Sequence, residues 1–80
     1  MSRKVIEVDK TKRILAFVAT CVEATARTLN ISYKEVFKRM MSLGLIDNYI
    51  YPNYEVLHSE SRENIVKDLI ECMQEWEGRA

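Results

Sequence analysis

A mostly α fold, built as a small single-domain bundle of three main helices plus one or two short helical turns, is predicted by three features of this 80-residue chain. Apolar residues recur in steps of three and four over long stretches, the period of a helix with one buried face. Residues with helix-start and helix-stop chemistry stand at the ends of those stretches. Breakers are scarce: two glycines and one proline accompany 48% hydrophobic residues, a composition of compact helical chains and not of disordered ones.

The first helix is expected over residues 10–29. Ile14, Phe17, Val18, Cys21, Val22, Thr25 and Leu29 form its apolar stripe, Asp9 or Thr11 supplies an N-cap, and Asn30 the stop. Ala16, Ala19, Ala24 and Ala26 raise helix propensity and, being short, let another helix approach along the flank. The second helix, 33–43, opens on Ser32 and Glu35, a capping box, with Ile31 and Val36 placed for a hydrophobic staple. Val36, Phe37, Met40 and Met41 are assigned to its inner face and Gly44 to its left-handed stop, while Lys34, Lys38 and Arg39 make a basic outer face.

Residues 45–57 are mixed. Leu45 and Ile46 should bury, and 47–48 and 52–53 carry turn chemistry. Tyr49, Ile50, Tyr51, Tyr54 and Val56 suit either short helical turns or a hairpin. The last helix, 61–77, starts from Ser59 or Ser61, buries Ile65, Val66, Leu69, Ile70, Met73 and Trp76, pairs Glu63 with Lys67 and stops at Gly78. Its outer face, from Glu60 through Asp68 to Glu77, is acidic. The domain is thus 10–77, with 1–9 a flexible N-terminal segment and 78–80 a C-terminal tail.

Charge is the most informative compositional feature. Lys/Arg and Asp/Glu balance at twelve each, yet residues 1–40 hold nine basic against four acidic, and residues 41–80 three against eight. Helix formation does not require such a split, which points to recognition between the halves or with a partner. A domain of this size removes only about 60–65% of its unfolded surface on folding, so its core is thin. Cys21 and Cys72 lie in apolar helical patterns, too few for a disulfide framework, and read as reduced core residues. No signal-peptide pattern and no membrane-length apolar run is present, which makes the cytoplasm the expected compartment.

Candidate functional residues are few. His58 is the only histidine. A catalytic reading would make it a base for Ser59 or Ser61, but no orienting group or oxyanion site accompanies it; the plainer reading has it hydrogen-bonded to backbone at the start of the last helix. A metal site from His58, Cys21 and Cys72 lacks ligand spacing. Tyr49, Tyr51, Tyr54, His58 and Trp76 are candidate interaction residues, with the alternative that the rings edge a thin core. The order of elements also suits a winged helix-turn-helix, in which strands after Gly44 form the wing and Arg27, Lys34, Lys38 and Arg39 meet phosphates. A neutral domain with an acidic last helix fits poorly with binding by counterion release.

The Cys21-Val22-Glu23 step, the Asn30-Ile31-Ser32 cap, Gly44-Leu45-Ile46, Tyr54 with Leu57-His58, and the run Asn64 to Ile70 together resemble the short bacterial proteins grouped as domain of unknown function three-seven-nine-one. Ser59-Glu60-Ser61 stands where a Thr-containing turn with a glycine is the family pattern. The resemblance implies a bacterial cytoplasmic protein with no assigned reaction. Members of that family similar to this chain stand in gene neighbourhoods with toxin-like or ADP-ribosyltransferase-like proteins, so the resemblance implies an interaction, regulatory or antitoxin-like role.

The expected function is therefore that of a non-enzymatic protein–protein interaction module, a homo-oligomer or a protein-bound subunit, with no cofactor and no membrane. A winged-helix-like DNA-binding regulator is the alternative.

Overall fold

The computed structural model describes residues 2–79, with side chains from 9 to 78. Four α-helices and one π turn follow in order: α1 Ser2–Leu29, α2 Tyr33–Leu43, the π turn Ile46–Ile50, α3 Tyr54–Leu57 and α4 Arg62–Arg79. The mostly α expectation holds. The described residues contain no strand, so 45–57 resolves into short helical turns and not a hairpin.

α1 is longer than its apolar stripe. It starts at Ser2, so Asp9 and Thr11 lie inside it and neither caps it. Residues 3–13 contain no glycine or proline, and extending a helix already nucleated on the core costs far less than starting one. The expected flexible segment 1–9 is accordingly helical from Ser2, while Met1 lies outside the described residues. The same logic carries α4 through Gly78 to Arg79, since Gly78 meets no neighbour and does not adopt a positive φ. Ala80, the end of the expected tail, is outside the described residues.

The α1 stop is a Schellman motif. Asn30 takes a left-handed φ of 57°, its N–H donates to Arg27 O at 3.2 Å, and Ile31 N–H donates to Ala26 O at 3.1 Å. α2 then leaves α1 at a bend of 115°. Ser32 Oγ accepts from Glu35 N–H at 3.1 Å, one half of the expected capping box; the return bond from the Glu35 carboxylate is not made among the described residues. Gly44 ends α2 at φ 71°. The chain turns at once into the π turn, closed by Tyr51 N–H donating to Ile46 O at 2.9 Å, which brings Leu45, Ile46 and Ile50 inward together. α3 buries only Leu57. Ser61, not Ser59, caps α4, accepting from Asn64 N–H at 3.2 Å.

The core lies where α1 meets α2 and α4. Val18, Cys21 and Val22 of α1 face Val36 and Met40 of α2, Leu45 and Ile50 of the π turn, and Ile65, Leu69 and Met73 of α4 in one apolar cluster. Truncating one of its fully buried members, such as Leu69, to alanine removes about 2–5 kcal/mol from a domain with little to spare. One polar atom breaks the pattern. Thr25 is 0% exposed and its hydroxyl has no partner, while Thr20 and Thr28 donate to the carbonyls of Ala16 and Ala24.

Two stability measurements check this packing. Thr25→Val deletes a buried, unpaired hydroxyl at nearly constant shape, so urea denaturation should show unchanged or higher stability, by up to about 1 kcal/mol; a clear loss would mean the hydroxyl is bonded. Gly44→Ala should lower stability by about 1 kcal/mol or more, because its Cβ would sit 2.7 Å from the Asn48 side-chain amide at a positive φ.

Candidate interaction surface

The exposed face of α2 is the first candidate. At 100° per residue, Val36 and Met40 point into the core, which turns Tyr33, Phe37 and Met41 outward, one above the next at spacings of four. They are 44%, 38% and 51% exposed. This corrects the assignment of Phe37 and Met41 to the inner face: the helix has two adjacent apolar stripes, and α1 and α4 can cover only one. The Tyr33 and Phe37 rings lie nearly parallel, 6.2 Å between centroids. Ile31, also exposed, stands just before the helix. Lys34 and Lys38 lie exposed beside these side chains and have no ion-pair partner among the described residues.

Arg39 departs from the expected basic face. It turns toward α4 and donates from Nε and from Nη2 to the two Glu77 carboxylate oxygens, each at 2.8 Å. The hydrogen bond raises the Arg39 pKa and lowers that of Glu77. Only two lysines of the three basic residues are therefore free to meet a partner.

The aromatic candidates do not form one patch. Tyr49, Tyr54 and Trp76 are half-buried against the core, the role of amphipathic rings around a thin interior. Tyr49 sits by Cys72, Asp68 and Glu60, and burial first, then these groups, push its hydroxyl up. The Tyr54 ring meets Phe17 edge-on at 5.4 Å and the His58 ring at 4.8 Å. Tyr51 is exposed on its own. His58 is exposed, and its side chain makes no hydrogen bond among the described residues; the start of α4 is fixed by Ser61 instead. Ser59 Oγ donates to Glu55 O at 3.5 Å, so neither serine is poised beside the imidazole as a nucleophile.

Residues 16–76 match the family described as Protein of unknown function (DUF3791). The chain belongs to that family. No curated protein and no solved structure matches it. The matched span holds α2, the π turn, α3 and most of α4, so the exposed Tyr33–Phe37–Met41 face lies within the DUF3791 region, whereas the first half of α1 precedes it.

The DUF3791 chain shows no group of three or more His, Cys, Asp or Glu able to hold a metal among the described residues. Among the described residues no single helix is long and apolar enough to cross a membrane. Its cysteines are not activated. Burial pushes the Cys21 thiol up to about 11, opposed weakly by Arg62. Burial and then Asp68, Glu75 and Glu71 push Cys72 up as well. At pH 8 roughly a thousandth of Cys21 is thiolate, so iodoacetamide should label the folded protein more slowly than free cysteine, with half-buried Cys72 modified before Cys21. Mass spectrometry of a time course checks this; Cys21 labelled first would contradict it.

Proposed function

We propose that this protein is a non-enzymatic protein–protein interaction module that receives a protein partner on the outer face of α2. The observation that carries the reading is the alignment of Tyr33, Phe37 and Met41 in solvent, flanked by Lys34 and Lys38, on a helix whose other face is locked into the core. Scattered surface apolar residues need no explanation, but three large ones in register on one helix form a continuous stripe. Tyrosine and methionine are enriched at interface centres, and a rigid, core-anchored helix presents them at little cost in conformational entropy. Two unpaired lysines beside the stripe favour a partner with acidic residues around an apolar face.

DNA binding is the second reading, favoured by the three-residue Asn30–Ser32 connection and the 115° bend between α1 and α2, the geometry of a helix-turn-helix. Against it, the residues that would build a wing are helical. The helix that would enter a groove offers an aromatic–methionine stripe and two free lysines, with Arg39 held by Glu77. That is little charge for counterion release.

A Phe37→Ser, Met41→Ser double variant separates the readings. Its circular dichroism melt should match wild type, and a protein retained by immobilised wild type should be lost from the variant by tenfold or more. A partner that ignores both substitutions would sink the proposal. Retention of a DNA duplex that collapses on Lys34→Glu, Lys38→Glu but survives the Phe37/Met41 change would promote DNA binding in its place.

A further inference from the structure

We infer that the occupant of the α2 face is an amphipathic helix of another protein, carrying carboxylates along one flank only and laid against Tyr33, Phe37 and Met41. The inference rests on the reading of that face as an interface and names what the face receives.

The form of the occupant follows from what α2 offers. The described residues contain no strand, so no sheet edge is present for an extended peptide to join. An extended segment pressed onto the stripe would leave its own N–H and C=O groups against apolar side chains, whereas a helix has already bonded its own. The stripe also suits a helix in shape. Residues four apart form an i±4 ridge, here ~12 Å long from Tyr33 to Met41, and such ridges interdigitate with the grooves of a second helix. The Tyr33 and Phe37 rings lie nearly parallel along it, and exposed Ile31 stands just before its start.

Charge fixes the flank. Lys34 and Lys38 lie about 80° around the helix to one side of the stripe, and Val36 and Met40 about 80° to the other. The second side is buried in the core. Glu35 and Arg39 fall about 160° away, on the far side of the helix, and Arg39 is held there by Glu77. A docked helix therefore meets positive charge on one flank and the body of the bundle on the other. Two carboxylates one turn apart on its outer flank answer Lys34 and Lys38.

The same arrangement rejects a second copy of this chain. Two α2 helices packed antiparallel about a two-fold bring like flanks together, setting Lys34 and Lys38 against the same two lysines. Packed parallel, they drive the lysine flank of one copy toward the core flank of the other, where Val36 and Met40 are already covered. Among the described residues α4 has acids but no exposed large apolar side chain. Leu15, Tyr51 and Val56, exposed elsewhere, stand on separate elements and form no helical row.

A phage-displayed library of helical peptides tests the inference, with apolar residues fixed at steps of three and four and Glu, Gln or Lys free at every flanking position, sorted against the full chain. Enriched peptides should carry Glu one turn apart on a single flank, and replacing those residues by Lys should weaken binding by about tenfold or more in fluorescence anisotropy. Lys34→Glu, Lys38→Glu should invert the preference to Lys. Phe37→Ser, Met41→Ser should abolish binding, as should a proline placed in the middle of the peptide. Enrichment without acidic preference overturns the inference, as does a selected peptide that binds the charge-reversed variant equally well or tolerates the proline. Self-association of wild type in sedimentation equilibrium, lost on Phe37→Ser, Met41→Ser, would overturn it in favour of a second copy. A protein retained by wild type and lost from the Phe37/Met41 variant, with no acidic helix emerging from the library, would overturn the helical occupant and leave the α2 face standing as an interface.

Discussion

Burial of one stripe of α1 is the constraint on which the rest of the molecule depends. Ile14, Val18, Val22 and Ala26 cannot be covered by a single neighbour, so α2, the π turn and α4 close around them from different sides. With only 80 residues to supply cover, each of these elements must donate its best apolar face to α1. Whatever is left over faces outward. The exposed surfaces of this protein are therefore what that allocation leaves over, and the candidate interface on α2 follows from it.

On α2 the allocation is decided by a rotation of one residue. Val36 with Met40 and Phe37 with Met41 are neighbouring stripes of similar hydrophobicity, and the bundle has room for one. The smaller β-branched Val36 fits beside α1 at full burial, and it carries Met40 in with it. The larger aromatic stripe goes to solvent. On α1 the cause is different: the side of the helix away from α2 is paved with alanine and back-bonded threonine, which cannot fill the space against α4, and a groove remains.

The charge split between the chain halves has a partial internal answer. The bidentate Arg39–Glu77 pair ties the end of basic α2 to the end of acidic α4, and Lys10 reaches Glu55 at 3.5 Å. Exposed pairs of this kind contribute only about 0–1 kcal/mol each. They orient helices that apolar contacts already hold together. Glu63 and Lys67, four apart on α4 and of opposite sign, remain unpaired among the described residues.

Local chemistry made much of this fold legible in one dimension. Ser32 before α2, Asn30 and Gly44 at positive φ, and the three-four spacing of Ile65, Leu69 and Met73 act within one or two helical turns, so the order of residues determines them. The span of α2 and the burial of the α1 and α4 stripes follow directly. The π turn, the fate of Phe37 and Met41, and the dispersal of the tyrosines do not, because each depends on which of two comparable apolar faces finds cover. Adjacent residues in a sequence carry no record of how wide the facing helix is, nor of where a third element will close. The sequence by itself therefore determined a helical bundle with its caps and core stripes, and only the tertiary structure decided which apolar and charged faces were left to meet another molecule, since packing can satisfy one face of a helix and must expose the other.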